Sequence, residues 1–93
     1  MDDLLLSKIR LGVIAELLTV QCAPFSELQR ATQTSNGNLG AHLSKLVAAG
    51  YVDEEKSFVD RRPLTRYSLT SLGRSAFITH VEEMQSLLKV GSA

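Results

Sequence analysis

The apolar residues of this chain change their period twice, and that pattern leaves few architectures open. They recur at helical spacing up to Leu46, alternate with polar residues between Tyr51 and Leu69, and return to helical spacing from Leu72 to Leu88. A chain of 93 residues can bury one hydrophobic core and is too short for two. One domain over residues 1–93 is therefore expected, with helices before and after a single β-hairpin. Apolar residues make up 44% of the chain and charged residues 22%, far from the profile of a disordered segment, so the chain is expected to fold.

The spacing predicts a first helix from Asp3 to about Val20. Leu6, Ile9, Val13 and Leu17 form its stripe, and Asp2 and Asp3 stand where the helix dipole favours negative charge. Leu4, Leu5, Leu11, Ile14 and Leu18 widen its apolar surface beyond one stripe, so the helix is either central or also meets a second subunit. Pro24 bars continuation, Phe25 suits a short extended segment, and Ser26 is a candidate N-cap for a second helix to about Thr32, with Leu28 and Ala31 facing the core. Gln33-Thr34-Ser35 then separates it from a third helix over 36–49, capped by Ser35, striped by Leu39, Leu43 and Leu46, and ended by Gly50. Tyr51 and Val52 open a strand to about Lys56. Residues 57–64 read as a polar loop containing Asp60-Arg61-Arg62-Pro63, and Thr65, Tyr67 and Leu69 alternate with Arg66 and Ser68 in a second strand. Thr70 is placed to cap the last helix, which carries Leu72, Ala76, Phe77, Val81, Met84 and Leu88 and frays near Gly91. The expected class is α+β, mostly helical: a helix-turn-helix over about 26–49, a hairpin over about 51–69 and a C-terminal helix over about 70–90.

Net charge is zero, which argues against a strongly basic, non-specific nucleic-acid coat protein. Between Asn36 and Ser75, however, six basic residues stand against four acidic ones, and the remainder of the chain reverses that ratio. No apolar stretch approaches the ~20 residues of a membrane helix, and the start lacks the basic character of a secretory signal. A soluble protein of the cytoplasm, without a membrane partner, is expected. Cys22 is alone and reads as a small buried apolar residue. With His42 and His80 it is too scattered for a metal motif, so neither metal nor cofactor is expected. No carboxylate pair, phosphate loop or nucleophile triad declares itself, and catalysis is not expected.

On a wheel of ~100° per residue, Gly37, Asn38, Ala41, Ser44 and Lys45 fall opposite the leucines of the third helix. Small residues permit close approach, an Asn can pair bidentately with adenine, and a Lys can reach guanine or phosphate, as in a helix laid in a major groove. The same small residues would also suit a close helix-helix contact or a plain solvated face. His42 lies at the flank of the apolar stripe, as a boundary residue or a phosphate donor; His80 reads as structural or exposed. Arg61 and Arg62 on a strand-to-strand loop can reach phosphates or a narrow minor groove, although such pairs are most often merely solvated.

The run Ser35-Asn36-Gly37-Asn38-Leu39, continuing through Ala41-His42-Leu43-Ser44-Lys45-Leu46 to Ala49-Gly50-Tyr51-Val52, resembles the recognition helix and first wing strand of short winged-helix regulators related to the MarR and ArsR types. The run from Arg61-Arg62-Pro63 to Leu69-Thr70, with Gly73-Arg74, is similar to their wing and final-helix start, and Arg10-Leu11 with Ile14 to Leu18 fits their first helix. The match departs at Asn36, where an acidic residue is common in the group, and the cysteine and histidine clusters of ArsR-type metal sensors are absent. The resemblance implies a prokaryotic transcriptional regulator that binds a two-fold related site on double-stranded DNA as a homodimer joined through its first and last helices. Asn38, Ala41 and Lys45 would face bases, and Ser35, His42, Arg61, Arg62 and Arg66 mainly phosphates, with Asn36 and Gly37 at the start of the interface. Leu4, Leu5, Ile14, Leu18, Phe77, Val81, Met84 and Leu88 would form the dimer contact. Two alternatives stand beside it: a winged-helix module that binds protein through the apolar outer helices, and a switch that admits a small-molecule effector between dimer helices.

Overall fold

The structure, a computed structural model, describes residues 2–91. A short 3-10 turn over Asp3–Leu5 is followed by α1 (Lys8–Val20), β1 (Cys22–Pro24), α2 (Phe25–Thr32), α3 (Asn36–Ala48), β2 (Val52–Val59), β3 (Arg62–Leu69) and α4 (Ser71–Gly91). The class is α+β and mostly helical, and the helix, helix, helix, hairpin, helix order is the expected one.

The first helix is broken where the sequence suggested continuity. Asp2 accepts from the Leu4 amide at 3.0 Å and holds the 3-10 turn, while Ser7 Oγ accepts from the Arg10 amide at 3.2 Å and starts α1 afresh. A serine that can cap competes with the helix that would run through it. The break rotates Leu6 off the stripe and leaves it exposed, whereas Leu5 folds back into the core. α1 ends at Gln21, whose φ of 68° closes the helix without glycine.

β1 is an element that periodicity over three residues could not reveal. Ala23 pairs with Tyr67 and Cys22 with Ser68, so the sheet order is β1-β3-β2, antiparallel throughout. Cys22 lies on the outside, not buried as its composition suggested, because the pleat turns Ala23 inward instead. α2 starts at Phe25 rather than after Ser26, with extended Pro24 before it and no side-chain cap. Of its two expected core residues Leu28 is buried and Ala31 is exposed.

The core gathers Leu5, Val13, Ile14 and Leu17 with Leu28 of α2, Leu39, Leu43 and Leu46 of α3, and Ala23, Val52 and Tyr67 of the sheet. Each fully buried leucine or isoleucine contributes roughly 1.5–3 kcal/mol relative to exposure, which makes the α3 stripe the chief anchor of that helix. Gly50 closes α3 at φ 79°. The amide of Tyr51 donates to Leu46 O and that of Gly50 to Val47 O, both at 3.0 Å, which satisfies carbonyls that the helix leaves open.

The hairpin is longer than expected. Residues 57–64 are strand rather than loop, apart from a two-residue turn at Asp60-Arg61, both with positive φ. Pro63 pairs opposite Phe58, one step beyond the Val59–Arg62 pair that closes the turn. That makes it a non-hydrogen-bonded position, so its missing N–H faces the side of β3 that β1 leaves open, since β1 pairs with β3 only from Arg66 to Ser68.

The start of α4 is fastened to the junction of α3 and β2. Thr70 Oγ1 donates to Gly50 O at 2.6 Å and accepts from the Gly73 amide at 2.9 Å, so it caps α4 as its position suggested. A Cβ on Gly73 would stand 2.2 Å from Tyr51 O, a contact that only glycine allows.

Candidate nucleic-acid interface

α3 is oriented by its leucine stripe, so its polar face is turned to solvent by default. Ser35, Asn36, Gly37, Asn38, Ala41, Ser44 and Lys45 are all exposed, and His42 is half-buried at the edge. Ser35 Oγ accepts from the Asn38 amide at 3.2 Å, which fixes the helix start. Asn38 Nδ2 donates to Thr34 Oγ1 at 2.9 Å, which steers the side chain while its carbonyl oxygen and second N–H stay available. Thr34 is itself held, because Gln29 Nε2 donates to its carbonyl at 2.7 Å. The turn between α2 and α3 is thus a set of short polar contacts that sets the approach of Asn38.

The glycines on this helix set aside one of the readings that spacing left open, a close helix-helix contact within the chain. A Cβ built on Gly37 or Gly40 would meet nothing within 4 Å. No neighbouring helix of this chain needs the small residues, although each glycine in a helix costs roughly 0.5–1 kcal/mol relative to alanine.

The wing carries the second patch. Arg61 occupies the turn in a left-handed conformation, φ 66°, and Arg62 follows at the start of β3. Arg62 and Arg66 project from the same face of the hairpin, about 13 Å apart at ~3.3 Å per residue. Arg66 lies directly opposite Glu55 in the strand register, whereas Arg62 is opposite Val59. The predicted cations thus fall in two places: Arg61 and Arg62 at the tip, beside Asp60 of the same turn, and Arg66 further along β3 opposite Glu55. The eight residues of β2 extend roughly 27 Å between the tip and the end of α3, against a ~34 Å turn of B-DNA.

His42 is tied inward. Its Nδ1 lies 2.8 Å from Arg10 Nη1, and burial with the Arg10 and Lys45 cations holds its pKa below the usual histidine value. The sequence placed Arg10 in the first helix but gave it no role at this face, since its partner stands 32 positions away. His80, by contrast, is only 2% exposed, and neither ring nitrogen has a partner among the described residues.

The apolar residues assigned to a dimer contact divide. Leu5 and Ile14 are 0% exposed inside the chain's own core, which corrects their assignment: they have no surface to offer a second copy. Leu4, Leu18, Phe77 and Val81 are half-buried, and Met84 and Leu88 are exposed. α4 adds three exposed apolar residues that the sequence reading left out, Ile78, Leu87 and Val90. Among the described residues no helix is long and apolar enough to cross a membrane, and no three His, Cys, Asp or Glu side chains gather as a metal set would require.

A sequence model of the winged helix DNA-binding domain matches residues 9–88. An uncharacterized protein of Methanocaldococcus jannaschii is 32% identical over 83 residues, covering 89% of this chain and 90% of its own. A transcriptional regulator homologue from Pyrococcus horikoshii OT3 superposes with a TM-score of 0.87 at 28% identity, over 97% of this chain and 89% of that one. A MarR mutant from E. coli, complexed with operator DNA, gives a TM-score of 0.68 at 22% identity over 86% of this chain and 56% of that one, a likeness of fold alone.

Proposed function

The chain belongs to the winged helix DNA-binding domain family, and on that footing we propose that it is a transcriptional regulator that binds specific double-stranded DNA sites as a homodimer. The observation that carries this reading is the surface of α3: a helix with an exposed polar face that keeps Gly37, and a half-buried Gly40 at its flank, although a Cβ at either position would meet nothing within 4 Å. A groove wall is the kind of neighbour that rewards such closeness. Asn38 and Lys45, with Ala41 between them, present the donors and acceptors suited to base edges, and Ser35, Asn36 and Gly37 stand at the helix start where backbone amides meet phosphate. Arg61 and Arg62 extend the contact to the backbone or the minor groove, with Arg66 in a lesser role beside Glu55.

The homodimer reading rests on the end of α4. Every residue from Met84 to Gly91 is exposed, and Leu87 at 58% and Leu88 at 71% offer an apolar face that the monomer leaves uncovered. A two-fold pairing there would place two recognition helices on half-sites about 10 base pairs, or a multiple, apart.

Titration of DNA fragments selected from the source genome tests the reading. Replacing Arg61 and Arg62 together by alanine should weaken binding to every sequence and reduce the salt slope by about 1–2, one per lost phosphate contact. Asn38→Ala should instead relax preference at one base position. A salt slope that does not move in the double variant removes the wing from the interface, and failure to enrich any fragment turns the reading towards a protein-binding module.

A further inference from the structure

Arg10 links two elements that sequence places far apart. Its Nε donates to the Leu4 carbonyl at 2.5 Å, and its Nη1 is 2.8 Å from His42 Nδ1 on α3. A guanidinium is always protonated and can only donate, so Nδ1 accepts, and the one ring proton of neutral His42 resides on Nε2. The only buried, unpartnered side-chain nitrogens or oxygens among the described residues belong to His80, so Nε2 of His42 keeps its contact with solvent. It does so at the flank of the face that carries Asn38 and Lys45.

We propose that Arg10 is a positioning residue for DNA binding: by occupying Nδ1 it fixes the ring of His42 and holds Nε2–H outward as a donor to a backbone phosphate. The inference rests on the DNA-binding reading above. A neutral N–H donor depends on direction far more than a cation does, which gives the clamp its purpose. The charged groups facing the ring are Arg10 from α1 and Lys45 from its own helix, and together with burial they oppose its protonation. Taking up a second proton would also break the bond to Arg10, since Nδ1 could no longer accept. The clamp is itself anchored: Leu4 belongs to the 3-10 turn, which Asp2 pins by accepting from the Tyr51 hydroxyl.

Nitrogen-edited NMR of the free protein reads the tautomer without DNA, and binding to a selected fragment at fixed salt reads the consequence. The wild-type ring should show the Nε2–H form, and Arg10→Gln a mixture of tautomers. Wild-type affinity should change less than about twofold between about pH 7.5 and about pH 6. Arg10→Gln should bind about tenfold more weakly at the higher pH and recover on acidification, as the released ring becomes a cation. Arg10→Lys should resemble Arg10→Gln, because a point charge cannot serve the Leu4 carbonyl and the ring together. His42→Gln, whose amide nitrogen falls near Nε2, should bind more tightly than His42→Asn. An Nδ1–H tautomer in the wild type, a wild-type pH profile in Arg10→Gln, or full affinity in Arg10→Lys overturns the assignment of Arg10 while DNA binding stands. A wild type that binds no DNA at either pH overturns both.

Discussion

Tyr67 shows how a single side chain couples the wing to the core. Its ring is buried, its cross-strand neighbour is Glu54, and burial together with the Glu54 carboxylate raises its pKa to about 12. In the unfolded chain a tyrosine ionises near pH 10, so above that pH the unfolded state gives up its proton first and folding loses free energy until the folded phenol also ionises. Stability should hold up to about pH 10 and then fall between about pH 10 and about pH 12, with Tyr67 contributing on the order of 2 kcal/mol; Tyr67→Phe should remove that share and leave the smaller part due to Tyr51, whose pKa the hydrogen bond to Asp2 also raises. Urea unfolding at two alkaline pH values checks it; an equal decline in the phenylalanine variant would assign the loss to other groups. At this scale, what the sequence disclosed was what acts locally. Ser35 and Thr70 cap the helices that follow them, because a cap needs only its own next few residues. Ser7 carries the same signal and went unused beneath a continuous run of apolar residues. The Asp2–Tyr51 and Arg10–His42 contacts join residues 49 and 32 positions apart, and no local pattern encodes such a meeting.

Between residues and molecule, α3 and the hairpin each hold a conformation that their own stability does not favour. Gly37→Ala and Gly40→Ala add a Cβ into open space and should each stabilise the free protein by up to about 1 kcal/mol. In Gly37→Ala that gain should come with weaker DNA binding, and calorimetry alongside titration would separate the two effects. An affinity that does not change would mean that nothing approaches the helix there. In the wing, Arg61 is held at φ 66°, where glycine would rest more easily. Arg61→Gly should therefore stabilise the protein by about 0.5–1 kcal/mol, read as a rise in Tm, while lowering DNA affinity. A variant that is no more stable would show that the turn bears no strain. The wing's length was hidden by Pro63, which reads as a breaker unless it is known that its nitrogen faces an unpaired edge. The α3 face was legible because one stripe of leucines fixes both sides of a helix at once.

For the molecule as a whole, the apolar excess noticed on the first helix is taken up in part by the chain's own core. Leu5 of the 3-10 turn and Ile14 of α1 are both buried in the core, so the exposed apolar surface that could meet a partner lies in the distal part of α4. Introducing charge there, as Leu87→Glu with Leu88→Glu, should leave the monomer folded because neither side chain belongs to its core. Sedimentation should then shift from dimer to monomer, and DNA with two half-sites should be bound no better than DNA with one. A variant that still sediments as a dimer would move the contact elsewhere. The close seat of Gly73 on the Tyr51 carbonyl has a mechanical consequence for such a pair. With no side chain between them to yield, the first turn of α4 and the end of α3 form a stiff elbow, and two such elbows, if joined at their far ends as proposed, would work as a pair of callipers. The gap between the reading heads is then set by the angle at which the two long arms cross, and anything that wedges those arms apart changes which half-site spacing the pair can measure.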